Sequence, residues 1–225
     1  IAREDLFLVT KVWISNAGDE RAAKSIDESL RKLETDYIDL LLIHQAFGDY
    51  YGTYRAMQKA LEAGKVRAIG LSNFVDARFV DLVENMEVKP AVLQLETHVF
   101  SQQKRMRELM APYGTRLMAW APLAEGRNGI FTHPTLTAIG AKYGKTAAQT
   151  ALRFLMAEDV IAIPKSVHRE RLVENFSIDD FELSAEDLDA IRALDGGKPM
   201  FADFNDPALA KFLLEYDAKF NPERQ

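Results

Sequence analysis

The sequence predicts an α/β protein whose parallel strands close into a (β/α)8, or TIM, barrel. Short apolar runs rich in branched side chains recur six times, each followed by a longer segment with helical spacing. Polar residues follow the apolar body of nearly every run, as expected where strand ends converge on one barrel mouth. An open doubly wound sheet is the alternative, but such a sheet usually has a glycine-rich first turn, and the sequence has no GxGxxG motif.

The six apolar runs are predicted to be buried parallel strands. They span Leu6–Val12, Ile38–Ile43, Ala68–Leu71, Ala91–Leu95, Leu117–Leu123 and Val160–Ile163. The segments between them place apolar residues on one helical face and charges opposite, which predicts amphipathic crossover helices. These helices are predicted at Glu20–Leu33, Tyr54–Leu61, Ala77–Val83 and Arg105–Met110.

The fifth connection is longer than the others and begins with a predicted loop at Gly126–Gly129. After the last strand, the Ser184 hydroxyl is suited to cap a helix that opens there. The tail from Gly196 to Gln225 is predicted to be irregular apart from one helix. The remaining helices are predicted at Pro134–Tyr143, Thr146–Met156, Arg169–Asn175 and Pro207–Tyr216.

The strand count has a consequence for the barrel. A closed barrel of this type needs eight strands, and the first of the six predicted strands begins a few residues after Ile1, which is not an initiator methionine. We therefore expect an N-terminally truncated chain that carries strands three to eight. Residues 1–225 would form a single, incomplete barrel domain.

The composition excludes several classes of protein. A chain of 225 residues, 48% hydrophobic and 28% charged, has the profile of a globular protein with one full core. Its formal charge of -6 argues against nucleic acid or an anionic membrane as a partner, and no apolar run approaches the roughly 20 residues of a membrane helix. The absence of cysteine suits a reducing, cytoplasmic compartment and excludes zinc-thiolate sites. No metal is expected.

Six short motifs stand at successive strand ends. They are Thr10–Trp13, Asp39–His44, Gly70–Phe74, Gln94–Glu96, Ala121–Leu123 and Ile163–Val167. In this order and spacing they resemble the aldo-keto reductase family over essentially the whole chain. The bacterial branch that includes diketogluconate reductases is the most similar, because Gln45 follows the histidine and Phe47-Gly48-Asp49 comes next.

The resemblance implies an oxidoreductase that uses NADPH to reduce small aldehydes or ketones to alcohols, monomeric when complete. The family uses Tyr, Lys, His and Asp for catalysis, and Lys11 and His44 match two of them. Lys11 would lower the pKa of the tyrosine through its charge, and His44 would orient the carbonyl. The tyrosine and the aspartate belong upstream of Lys11, where this chain has no tyrosine. We therefore expect the chain itself to lack its proton donor.

NADPH/NADP+ is the cofactor that the resemblance implies. A lysine, a hydroxyl and a guanidinium at the start of a helix can together hold a phosphate monoester. The matching positions are Lys165, Ser166 and Arg171 for the 2′-phosphate, Glu174 and Asn175 for adenine, Ser72, Asn73 and Gln94 for the nicotinamide carboxamide, and Trp120 for stacking on the ring.

Other readings of these residues stay open. Ser72 and Asn73 could cap the next helix, and Trp120 could be barrel packing. Trp13 and Phe47 lie just past the catalytic positions and are predicted walls of the substrate pocket, with two tail aromatics as further candidates, Phe201 and Phe204.

Three histidines are left outside the predicted site. His98 is interpreted as a residue that packs beside the site or supports the residues that line it, and His133 and His168 as surface residues. Two rival functions also remain. The chain could bind NADP(H) without turnover, or it could be a barrel enzyme that binds a sugar phosphate at Lys165–Ser166 and no nicotinamide.

Overall fold

The computed structural model describes residues 1–220, which contain six strands in one parallel sheet. The strands are β1 (Val9–Val12), β2 (Leu40–Ile43), β3 (Ile69–Ser72), β4 (Val92–Glu96), β5 (Arg116–Trp120) and β6 (Ile161–Ala162). Their order in the sheet is their order in the chain. Val12 lies opposite Ile43, Ile43 opposite Leu71, and Ala119 opposite Ala162. The alternating α/β prediction is confirmed.

Helices follow the strands as predicted from the amphipathic spacing. They are α1 (Asp19–Leu33), α2 (Tyr50–Glu62), α3 (Ala77–Asn85), α4 (Lys104–Met110), α5 (Pro134–Tyr143), α6 (Ala147–Ala157), α7 (Arg169–Phe176), α8 (Ala185–Arg192) and α9 (Pro207–Phe220). Short 3₁₀ turns lie at Arg3–Asp5, Ile14–Asn16, Ala111–Tyr113 and Ala124–Gly129. Within residues 1–220, no helix combines the length and the apolar character that crossing a bilayer requires.

The described chain divides into two compact units. The first holds Ile1–Leu93, Leu109–Thr115 and the described part of the tail after Phe201. Its core is built by β2, whose four residues are all buried, and by the apolar face of α1 with Ile26 and Leu30. Tyr54 of α2 is fully buried, and its hydroxyl is satisfied by donating to the carbonyl of Val88 (2.9 Å).

The second unit holds Gln94–Glu108 and Arg116–Phe201. Helix α6 is its most buried helix, and Thr146 caps it through a reciprocal pair of hydrogen bonds with Gln149. Leu152 of α6 packs with Ile178 and Phe181, so the segment after α7 is fixed to α6 by apolar contact. Ser184 caps α8 as predicted, since its hydroxyl accepts from the Asp187 N–H (3.2 Å).

Four predicted boundaries are wrong by three residues or more, and one of them is the end of α9, which extends to Phe220 instead of Tyr216. The first strand begins at Val9, not Leu6, because Arg3–Asp5 forms a 3₁₀ turn. The fifth strand ends at Trp120, not Leu123, because Ala121 adopts a left-handed φ of 51°. Helix α2 begins at Tyr50 rather than Tyr54, since the Asp49 carboxylate accepts from the Gly52 N–H (2.8 Å).

Candidate functional site

The first unit carries the two predicted catalytic residues on neighbouring strands. Lys11 lies in β1, and His44 directly follows β2. The backbone N–H of His44 donates to the Val12 carbonyl (3.0 Å). Burial, and secondarily the positive charge of Lys11, lowers the pKa of His44 from 6.5 to about 4. Burial also lowers the pKa of Lys11. His44 is therefore a neutral imidazole near neutral pH, placed close to an ammonium group.

Two aromatic residues predicted as pocket walls also lie in this unit. The Trp13 ring meets the His44 ring edge-on, with centroids 4.9 Å apart. Phe47 is buried, and the Arg78 guanidinium lies over its ring at 5.1 Å. Trp13 thus contacts a predicted catalytic residue directly, whereas Phe47 takes part in the packing against α3.

Ser72 and Asn73 follow the next strand end. Ser72 is the last residue of β3, and Asn73 adopts a left-handed φ of 62°. The Asn73 amide donates to the His44 carbonyl (3.3 Å) and to Gln45 Oε1 (3.2 Å). Helix α3 has Asp76 at its N-cap, three residues after Asn73.

Tyr50 and Tyr51, the first tyrosines after His44 in the chain, have the wrong electrostatics for a proton donor at neutral pH. Burial and the Asp81 carboxylate raise the pKa of Tyr50, and the same two causes raise the pKa of Tyr51 to about 12. The Tyr51 hydroxyl donates to the Asp81 carbonyl (3.0 Å). A phenol that must deliver a proton at neutral pH needs a neighbouring positive charge and a lowered pKa.

In the second unit, Gln94 and Trp120 occupy β4 and the end of β5. Gln94 is buried, and its Nε2 donates to Met118 Sδ (2.9 Å), a weak acceptor. Trp120 is half-buried, and its ring lies 5.6 Å from that of Phe201. The indole is therefore not enclosed by core packing alone.

The predicted phosphate and adenine residues line one cavity of about 380 Å³ in the second unit. The side chains of Lys165 and Arg171 have no ion pair or hydrogen bond with any part of the described chain. The Ser166 hydroxyl accepts from the His168 N–H (3.1 Å) just before α7. The lining residues are Leu123, Phe131, Thr146, Ala148, Lys165, Ser166, Arg171, Glu174 and Asn175.

Sequence reasoning missed four of the residues that line this cavity, namely Leu123, Phe131, Thr146 and Ala148. Thr146 donates from its hydroxyl to Glu174 Oε1 (2.6 Å) while it caps α6. Phe131 is half-exposed at the cavity wall, and the glycine-rich loop before it is the signal that could have suggested a surface aromatic.

The three remaining histidines differ in their surroundings. His98 is fully buried and hydrogen-bonded to Glu96, which fits the prediction of a packing residue. His168 is exposed as predicted. The surface reading of His133 is only partly right, because its ring packs against Phe100 (5.5 Å) and its Nδ1 is buried without a hydrogen bond.

Comparison with known proteins identifies the chain. The family model described as the aldo/keto reductase family matches residues 1–196. The chain belongs to this family. It is 42% identical over 195 residues to a glyoxal reductase of Bacillus subtilis (strain 168), covering 86% of this chain and 70% of the relative.

Solved structures of aldo-keto reductases agree with this assignment. The enzyme MGS-M4, from a deep-sea metagenome library of the Medee basin, superposes with a TM-score of 0.88 at 38% identity, covering 92% of this chain and 77% of that one. A point mutant of Gox0644 in complex with NADPH superposes with a TM-score of 0.86 at 33% identity, covering 90% and 76%. The fold is that of the aldo-keto reductase barrels, and the activity is NADP(H)-dependent carbonyl reduction.

Proposed function

We propose that the cavity beside α7 holds the adenosine end of NADPH, with Lys165, Ser166 and Arg171 around the 2′-phosphate. The observation that carries this assignment is the pair of cationic side chains that line one cavity and have no counter-ion among residues 1–220. A phosphate monoester carries close to two negative charges and several acceptor oxygens, which an ammonium, a guanidinium and a hydroxyl satisfy together. Glu174 and Asn175, on the same wall, would contact adenine.

The nicotinamide end is assigned by the family motifs. Ser72 and Asn73 would hydrogen-bond the carboxamide, Gln94 would do the same, and Trp120 would stack on the ring. Among the described residues, Gln94 Nε2 has only the Met118 thioether as a partner, and a carbonyl oxygen would be a stronger acceptor. When bound, NADPH supplies the hydride that reduces the carbonyl carbon.

The reacting oxygen is assigned to Lys11 and His44. A neutral His44 can hold a hydrogen bond to the carbonyl oxygen, and the ammonium of Lys11 stabilises negative charge that develops on that oxygen. The edge-on contact with Trp13 fixes the plane of the imidazole and makes Trp13 a wall for the substrate.

We further propose small aldehydes as substrates, with glyoxal as the first to test, because a relative at 42% identity is a glyoxal reductase. We also propose that the protein is a monomer with a single barrel domain and that it is cytoplasmic. The acidic charge of -6 fits a partner that is neither nucleic acid nor an anionic membrane.

A second candidate is NADP(H) binding without turnover. The raised pKa values of Tyr50 and Tyr51 favour it, because neither phenol has the lowered pKa that a proton donor at neutral pH needs. A titration of nicotinamide fluorescence, followed by addition of glyoxal, separates the candidates. Oxidation of NADPH supports the reductase, and binding without oxidation supports the second candidate. Absence of binding would leave a sugar phosphate as the ligand of the cavity.

Lys11→Met tests the catalytic assignment. This variant should lower kcat strongly at unchanged NADPH affinity, because Lys11 acts on the transition-state oxygen. Lys24→Met, on the exposed face of α1, is the matched control. Normal turnover in the Lys11→Met protein would remove Lys11 from the site.

A further inference from the structure

A buried carboxylate in the second unit binds the chain segment that follows α8. Glu96, the last residue of β4, is 3% exposed. Its Oε1 accepts from the Met200 N–H (2.6 Å), and its Oε2 accepts from the Phe201 N–H (3.1 Å). A carboxylate that accepts two backbone N–H groups in a buried place fixes the position of those two residues.

His98 supplies the third hydrogen bond to Glu96. The Phe100 N–H donates to His98 Nδ1 (3.2 Å), so the imidazole proton lies on Nε2, 3.1 Å from Glu96 Oε1. Burial alone would raise the pKa of Glu96. The hydrogen bonds from His98, Met200 and Phe201 outweigh this effect, so the pKa lies below its usual value. Glu96 is therefore an ionised acceptor with three donors.

Phe201, whose backbone binds Glu96, also contacts Trp120 through its ring. It lies 5.6 Å from the Trp120 ring and 6.1 Å from the His98 ring, and the Arg127 guanidinium lies 4.5 Å from its centroid. The Phe201 backbone is fixed by Glu96, and its ring is held by aromatic and cationic neighbours. The half-buried Trp120 thus has one side defined by a residue of the tail.

We propose that Glu96 is a positioning residue, whose carboxylate, oriented by His98, anchors Met200 and Phe201 and so holds the Phe201 ring against Trp120. The functional consequence rests on the proposed role of Trp120 in stacking on the nicotinamide ring. A displaced Phe201 would leave the indole free to turn away from the stacked position. Glu96 itself touches neither the cofactor nor the substrate in this assignment.

Glu96→Gln tests the anchor with almost no change of volume. The amide has one oxygen and one NH2, so in either orientation the NH2 faces an N–H group of Met200, Phe201 or His98. We expect amide hydrogen exchange to accelerate by at least about tenfold at whichever of Met200 and Phe201 faces the NH2, as expected for loss of a hydrogen bond to a charged acceptor. In a Trp13→Phe background, where Trp120 is the sole tryptophan, acrylamide quenching of its fluorescence should increase.

The matched control is Asp187→Asn, which removes another buried carboxylate of the same unit. Asp187 is 2% exposed and accepts from Lys142 Nζ (2.5 Å) and the Tyr143 hydroxyl (2.6 Å). This variant should unfold at lower temperature, yet leave exchange at residues 200–201 and Trp120 quenching unchanged. If it changes both as Glu96→Gln does, the effect is a general loss of stability and the proposal is wrong.

Phe201→Ala provides an independent route, because it removes the ring and leaves the carboxylate intact. It should raise Trp120 quenching as Glu96→Gln does, and the double variant should show no additional increase. Unchanged exchange in Glu96→Gln, or additive quenching in the double variant, would overturn the proposal. A wild-type chain that binds no NADPH would instead contradict the proposed function, while exchange and quenching would still decide on the anchor.

Discussion

Replacement of Arg171 by alanine tests whether the cavity beside α7 recognises the 2′-phosphate of NADPH. Arg171 lines the cavity and its side chain has no ion pair or hydrogen bond within the described chain, so its removal breaks no polar contact there. Loss of a charge-assisted hydrogen bond costs about 1.5–3 kcal/mol, which corresponds to roughly 10- to 150-fold in Kd.

The exposure of Arg171 places the expected effect at the lower end of this range. Solvent and salt screen an exposed charge, so we expect about a tenfold weaker NADPH affinity at physiological ionic strength and a larger loss at low salt. NADH has no 2′-phosphate, and its affinity should be unchanged. Parallel titrations of nicotinamide fluorescence with the two cofactors measure the difference.

Arg169→Ala is the matched control for this experiment. Arg169 is the first residue of α7 and is exposed, but it does not line the cavity. The substitution removes the same charge from the same helix, so it reports the general effect of net charge on binding. Equal losses for NADPH and NADH in Arg171→Ala, or an equal NADPH loss in Arg169→Ala, would refute the assignment.

Three further predictions concern stability. Because the pKa of His44 is lowered to about 4, the unfolded chain binds a proton between pH 6.5 and 4 that the folded chain does not. The free energy of unfolding should therefore decrease as the pH is lowered from 6.5 to 4. In His44→Gln, the urea midpoint should decrease less over the same range. Thr146→Val removes the cap of α6 and the hydrogen bond to Glu174, and should lower stability in thermal unfolding by about 1 kcal/mol, whereas Thr146→Ser should retain it. Gly70→Ala would place a Cβ 2.5 Å from the Val92 carbonyl oxygen, and should destabilise the protein by about 1–3 kcal/mol in urea unfolding; an unchanged midpoint would contradict this close approach.

The sheet could be predicted because its signal is local. The four buried residues of β2 form one continuous apolar run, as parallel strands covered on both faces require. Strand ends are less predictable when an ordinary residue adopts an unusual conformation. Ala121 ends β5 with a φ of 51°, and an alanine gives no sequence signal for a left-handed turn.

Contacts between distant residues explain what sequence reasoning missed in the site. The sequence indicates that His98 is buried, but not that it binds Glu96. The other two donors to Glu96 are backbone N–H groups 104 and 105 residues after Glu96 in the chain. Backbone N–H groups are present at every residue except proline, so no residue type at positions 200 and 201 marks them as partners of a carboxylate. Only the folded chain shows that Glu96 has three donors.

At the proposed phosphate site too, the sequence alone misleads. The spacing of two charged residues predicts an ion pair that the described residues do not form. Arg171 and Glu174 are three residues apart on α7, a separation at which opposite charges commonly pair. In the structure the Glu174 carboxylate instead accepts from the Thr146 hydroxyl (2.6 Å). An ion pair between Arg171 and Glu174 would neutralise the guanidinium and compete with a phosphate for it. By binding the Glu174 carboxylate from the start of α6, Thr146 leaves Arg171 available to an anion, which makes this threonine part of the site although no charge or motif marks it.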